Sequence, residues 1–121
     1  MAAAGVLVDL DIPGPLPDLP AGLDLAVYRV IQEALTNVVK HAGADQCQVR
    51  ITSAQGKLTV EVTDNGRGLG GQPGGKTQGH GLIGMRERVG MYGGEFSAAS
   101  LPGPGFQVSA TFPLAEAQVG A

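Results

Sequence analysis

Residues 46–63, QCQVRITSAQGKLTVEVT, decide the fold. Both halves, 46–54 and 57–63, alternate apolar and polar residues at the period of a half-buried strand. Gln55-Gly56 between them is a turn signal, so the segment predicts a β-hairpin. Ahead of it the period changes. From Leu23 to about Ala42, the residues Val27, Ile31, Ala34, Leu35, Val38 and Ala42 recur in three- and four-residue steps, with Gly43 at the C-cap position. That is an amphipathic helix. Residues 6–12 (VLVDLDI) alternate as a short strand, and the prolines at 13, 15, 17 and 20 then forbid regular structure.

Behind the hairpin, glycine content reads Asp64 to Gly81 as loop. Leu82, Met85 and Val89 return to helical spacing as far as about Tyr92, and Gly93-Gly94 ends that helix. Residues 95–100 and 106–112 are two further strands around a Leu-Pro-Gly-Pro-Gly turn, the second closed by Pro113. The order β-α-β-β-loop-α-β-β pairs strands instead of alternating them with helices. It predicts a two-layer α/β sandwich: a mixed, mostly antiparallel sheet with its helices on one face. Residues 1–21 are then an entry segment, 22–114 the domain with a lid at about 66–80, and 115–121 a frayed tail.

Composition agrees with one folded domain. The chain has 121 residues, 43% of them apolar, enough for one modest core. Glycine and proline together number 28, but twelve of the twenty glycines fall between Gly66 and Gly94, so the bias marks one loop system and not a disordered chain. Eight basic against eleven acidic residues argue against a nucleic-acid partner and against a polybasic membrane anchor. No run of apolar residues is long enough to span a bilayer, and the opening Met-Ala-Ala-Ala does not read as a signal peptide. The single Cys47 excludes an internal disulfide and fits a reducing, cytoplasmic setting. It reads best as a small buried hydrophobe in a strand.

Three places carry chemistry. On the first helix Glu33, Asn37 and His41 follow one another at i, i+4 and i+8, with Lys40 beside them. That line is either a solvated face or the seat of a hydrated Mg²⁺ holding phosphate oxygens. Two features favour the second: Val30, Ala34, Val38 and Val39 extend the apolar arc almost round the helix, and a mid-helix Asn wants a reason. Asp64-Asn-Gly-Arg-Gly68 follows directly on a strand. It is either a plain Asp-Asn-Gly turn or an acceptor presented to an adenine amino group. Residues 79–84, GHGLIG, match G-x-G-x-x-G without the preceding strand of a dinucleotide fold, yet they open a helix whose free amides favour phosphate. Residues 70–77, GGQPGGKT, match a P-loop literally. The strand ends about six residues too early, and Gly79 and Gly81 occupy the first turn of the required helix, so a glycine-rich lid whose Lys76 reaches a phosphate is the better reading.

Taken together these stretches resemble the GHKL ATPases. Glu33-Ala-Leu-Thr-Asn37-Val-Val-Lys40-His41-Ala42 resembles their N box, Asp64 to Gly68 their G1 box, and Gly79-His80-Gly81-Leu82 their G2 box. GHGLIGMRERV after a short lid is similar to the nitrate-sensor type of bacterial two-component histidine kinases. The resemblance spans about residues 22–114 and implies a Bergerat-type fold with ATP and Mg²⁺. It implies Asn37 as Mg²⁺ ligand, Glu33 orienting the ion's water, and Lys40 and His41 facing phosphates. Asp64 would bond the adenine amino group, Gly66 and Gly68 would admit the ring, and Gly79 and Gly81 would offer amides to phosphate. Such a domain hands the γ-phosphoryl to a histidine on a separate dimerisation domain, for relay to a response regulator.

Two positions depart from the family. Gly105-Phe106 stands where Gly-Thr is usual, and Tyr92 where Leu is common. Neither His41 nor His80 lies in the context of an acceptor histidine, so the chain is expected not to phosphorylate itself, and without the dimerising helices it is expected to be monomeric. An anti-sigma-factor-type serine kinase, a hydrolase with Glu33 as general base, and a docking module without catalysis are the rival readings. The MRERV helix with its short lid argues against the first, the lack of large extra domains against the second, and the intact boxes against the third.

Overall fold

The turn at Gln55 and Gly56, both with positive φ (53° and 75°), folds β3 (Gln46–Ala54) back on β4 (Lys57–Asp64) as a two-residue hairpin. In the computed structural model of the chain, the described backbone covers residues 2–3, 6–42, 45–66, 76–102 and 105–114. Side chains are described for 6–40, 45–66, 82–102 and 105–114. Within these limits the elements are β1 (Ala2–Ala3), β2 (Val6–Asp11), α1 (Ala21–Asn37), a π-helical turn (Val38–Ala42), β3, β4, α2 (Lys76–Gly90), β5 (Glu95–Ser100) and β6 (Phe106–Pro113). They form one sheet in the order β1-β2-β3-β4-β6-β5. Only β2 and β3 run parallel, joined across α1, and every other pairing is antiparallel. The expected mixed sheet is present, with one short strand, β1, that periodicity did not announce.

Alternation sorts the two faces. Leu58, Val60 and Val62 on β4, Val49 and Ile51 on β3, and Val108, Ala110 and Phe112 on β6 are buried beneath the helices. From α1, Leu23, Ala26, Val27, Val30, Ala34 and Val38 face them, and from α2, Met85 and Val89. Ile31 and Leu35 pack at the margin, while Val39, which the sequence arc would cover, is exposed. Among the described residues, no helix is long and apolar enough to cross a membrane.

Two helix boundaries differ from expectation. Regular α-helix ends at Asn37, and Val38–Ala42 widen into a π turn. Asn37 is therefore the last α-helical residue, where a poor helix former costs little. The second helix starts six residues earlier than its apolar spacing, at Lys76. Residues 76–81 carry no apolar repeat and two glycines, each about 1 kcal/mol worse than Ala, so local propensity reads loop. A helix already held by Met85 and Val89 adds one hydrogen bond per residue as it extends, without a second nucleation. Residues 76–80, assigned to the lid, thus lie in α2. The rest of the lid (67–75), Gly43 and the tail 115–121 lie outside the described residues.

Candidate functional site

The topology gathers several chain ends at one end of the sheet. α1 runs antiparallel to β2 and β3, and only three residues lie between Ala42 and Gln46, four steps that reach at most about 14 Å. β3 begins where β4 ends, Cys47 opposite Asp64, and β6 begins there too, Phe106 opposite Asp64. α2 packs back along β5, with the Arg86 guanidinium over the Phe96 ring (5.3 Å), so its N-terminus points to the same end. At the opposite end the Tyr92 hydroxyl donates to the Gly22 carbonyl at 3.0 Å, tying α2's exit to the first turn of α1.

Asp64 continues the inward row Leu58-Val60-Val62 and is 6% exposed, the one buried charged side chain among the described residues. The Gly66 amide donates to its Oδ1 at 2.8 Å. Oδ1 closes an Asx turn, as the plain-turn reading expects, and the carboxyl lies on the helix-facing side. Burial pushes its pKa up, and the backbone amides of Gly66 and Phe106 pull only partly against that. Asn65 points the other way. Its Oδ1 accepts from the amides of Asp45 (3.2 Å) and Gln46 (3.0 Å), and its Nδ2 donates to Asp45 Oδ1 at 2.8 Å. These bonds fix the loop after β4 to the start of β3.

Three neighbours of Asp64 escaped the candidate set. Cys47 is 3% exposed and shares its row on β3, and burial with the Asp64 charge raises its pKa to about 11. The two-residue turn at 55–56 carried the signal, because counting outward from it pairs 47 with 64. Phe106 flanks the other side from β6. Gly105 is the third: at φ 132° a Cβ there would lie 2.5 Å from the Asp64 carbonyl oxygen, so only glycine allows the close approach. No local signal pairs 106 with 64.

On α1, Glu33 and Asn37 are half-buried and Lys40 is exposed. The π turn spaces its residues for i→i+5 bonding, so the backbone at His41 leaves the straight i, i+4 row that Glu33 and Asn37 share. The His41 side chain lies outside the described set, as do Gly68 and the side chains of Lys76 and His80. Among the described residues, no three His, Cys, Asp or Glu cluster as a protein cage for a metal. An amide and a carboxylate on one helix face fit an ion that keeps its waters and takes its remaining ligands from phosphate, as Mg²⁺ does.

Starting α2 at Lys76 changes the phosphate argument. The four unpaired amides of a helix are its first four, here 76–79, so the Gly79 amide is among them and the Gly81 amide is not. Leu82 is half-buried against the core. Lys76-Thr77 does begin a helix, which removes one objection to a P-loop; the other stands, because β4 ends at Asp64 and its neighbours in the sheet are antiparallel.

Comparison with known proteins agrees with this arrangement. The family model described as histidine kinase-, DNA gyrase B-, and HSP90-like ATPase matches residues 22–116. The signal transduction histidine-protein kinase/phosphatase DegS of Brevibacillus brevis is 36% identical over 110 residues, 91% of this chain and 28% of that protein. The ATP binding domain of PrrB from Mycobacterium tuberculosis superposes with TM-score 0.63 and 28% identity, over 90% of this chain and 80% of that one. The blue-light activated histidine kinase EL346 of Erythrobacter litoralis superposes with TM-score 0.77 and 26% identity, over 95% of this chain and 37% of that one. The chain spans about a quarter of the length of the curated relatives it matches. With a buried carboxylate closing β4 beside two helix ends, and the family's match running through all three boxes, this chain belongs to the histidine kinase-, DNA gyrase B-, and HSP90-like ATPases.

Proposed function

We propose that this chain is the ATP-binding catalytic domain of a two-component sensor histidine kinase. It binds Mg-ATP and presents the γ-phosphoryl to a histidine on a separate dimerisation domain, from which it passes to a response regulator. The observation that carries the reading is Asp64: a buried carboxylate whose described partners are backbone amides, left with acceptor capacity on the helix-facing side. An adenine amino group supplies the donor that such a carboxylate calls for.

Each residue then has a defined task. Asp64 orients the base, and Gly66 and Gly68 let the ring come close to backbone. Asn37 ligates Mg²⁺, Glu33 holds one of its waters, and Lys40, His41, Lys76 and His80 add positive or donor groups toward the phosphates. The amides at the start of α2, Gly79 among them, receive phosphate oxygens. Mg²⁺ supplies charge neutralisation on the phosphates, and the chain supplies alignment, which together are most of what phosphoryl transfer requires.

Calorimetric titration with ADP, with and without Mg²⁺, tests the reading. Binding in the micromolar range that Asp64→Asn weakens at least tenfold is the expected result. Absence of nucleotide binding by a folded chain would overturn it.

A further inference from the structure

The row that holds Asp64 crosses the sheet from β2 to β6. Val8, Cys47, Asp64 and Phe106 are successive Cα partners on the helix-facing side. Val8 and Cys47 are buried, and Phe106 is half-buried and packed against the core. One carboxylate is thus set between a thiol and a phenyl ring. Among the described residues, no side chain donates a hydrogen bond to it.

That setting decides what kind of base edge the wall can read. A hydroxyl beside the carboxylate, or a water it holds, can turn to donate or accept and so serve an amino or an oxo substituent alike. A phenyl ring does neither. The backbone amides of Gly66 and Phe106 are already turned to the carboxyl, so the wall is left with a single polar side chain that, when ionised, only accepts. A 6-amino purine satisfies it. A 6-oxo purine sets lone pairs against lone pairs at that position, and the one donor on its edge, N1–H, lies a ring position away, so the acceptor capacity that the Gly66 and Phe106 amides leave on the carboxyl is unmet in the same pose.

We propose that Phe106 is a specificity-determining residue of the nucleotide site: its ring closes the β6 side of Asp64, so that base choice rests on the Asp64 acceptor alone and favours 6-amino over 6-oxo purines. The inference rests on the nucleotide reading above. It extends that reading by assigning selectivity to a residue that makes no hydrogen bond to the base.

The experiment compares ADP with inosine diphosphate, which has a 6-oxo group and N1–H where ADP has a 6-amino group and bare N1, by calorimetry on the full chain and on Phe106→Leu and Phe106→Thr. Wild type and Phe106→Leu are expected to prefer ADP by about a hundredfold or more, on the scale of sites built around a buried hydrogen bond. Phe106→Thr should narrow that ratio about tenfold, chiefly by admitting inosine diphosphate. A general loss of fold would weaken both ligands together and leave the ratio alone. Should Phe106→Thr fail to fold, Phe106→Tyr brings a hydroxyl into the same ring footprint and reads the same ratio. An unchanged ratio in a folded hydroxyl variant that still binds ADP overturns the role of Phe106 and spares the nucleotide reading. A wild-type chain that binds neither diphosphate overturns both.

Discussion

Asp64 and Cys47 are direct partners across β4 and β3, both almost wholly buried, and the Asp64 charge makes the Cys47 thiolate less favourable. Burial is the larger cause for both groups, and for Cys47 the Asp64 charge adds to it. This corner of the sheet holds two ionisable groups that both resist charge, in a place that the proposed function reserves for a base.

The first consequence concerns Cys47. A thiol held up to about 11 is protonated at neutral pH, and the thiolate is the reactive species. Iodoacetamide at pH 8 should label the native chain at least a hundredfold more slowly than the urea-unfolded chain, followed by intact mass. Because the folded value lies above the ordinary 9.0, the folded state holds the proton longer. Its contribution to stability is complete below about pH 9 and is lost as pH rises toward 11, and Cys47→Ala should remove that decline.

Asp64 yields an opposed pair of effects. Its folded pKa is also raised, so its contribution favours folding at acid pH and is lost as pH rises through the folded value. Above that folded value the ionised carboxyl opposes folding of the nucleotide-free chain. Asp64→Asn keeps an Oδ1 for the Gly66 amide while removing the charge. Its melting temperature at pH 7 should exceed that of wild type, and its ADP affinity should fall at least tenfold. A variant that loses both stability and affinity would show Asp64 to be a structural residue.

At the other wall of the site, Asn37→Ala should abolish the Mg²⁺ dependence of ADP binding. Affinity measured in excess chelator would stay within about twofold of wild type. Asn37 ends the α-helical part of α1 and is half-buried, so alanine there fits the helix. Mg²⁺-dependent binding that survives this change removes the metal assignment.

Gly105→Ala should destabilise the chain by about 1–3 kcal/mol, the range for a side chain forced into a strained backbone region. The obstacle is the Asp64 carbonyl itself, so the end of β4 has to move. Thermal melts and an ADP titration should therefore worsen together, whereas Gly14→Ala, with open space around it, should change neither.

The sequence by itself determined the parts of this protein that depend on short range. Strict alternation on either side of Gln55-Gly56 specified β3, β4 and their hairpin, and symmetry about that turn already places Cys47 opposite Asp64, because a two-residue turn fixes register. Helical spacing from Leu23 located α1, and the three boxes identified the family. Asn37, Asp64 and Gly66 sit at or just past element ends, where the chain departs from regular structure and local chemistry is readable.

Only the tertiary structure decided the rest. β6 lies between β4 and β5, out of chain order, and that insertion brings Phe106 beside Asp64 across more than forty residues of chain. No local preference encodes it, because strand order follows from which apolar faces the two helices cover together. The same packing carries α2 back to Lys76 through residues whose own propensity favours a loop, and it opens the end of α1 into a π turn over the buried Val38. Local patterning chose the elements, and the shared core beneath α1 and α2 chose which of their ends meet around Asp64.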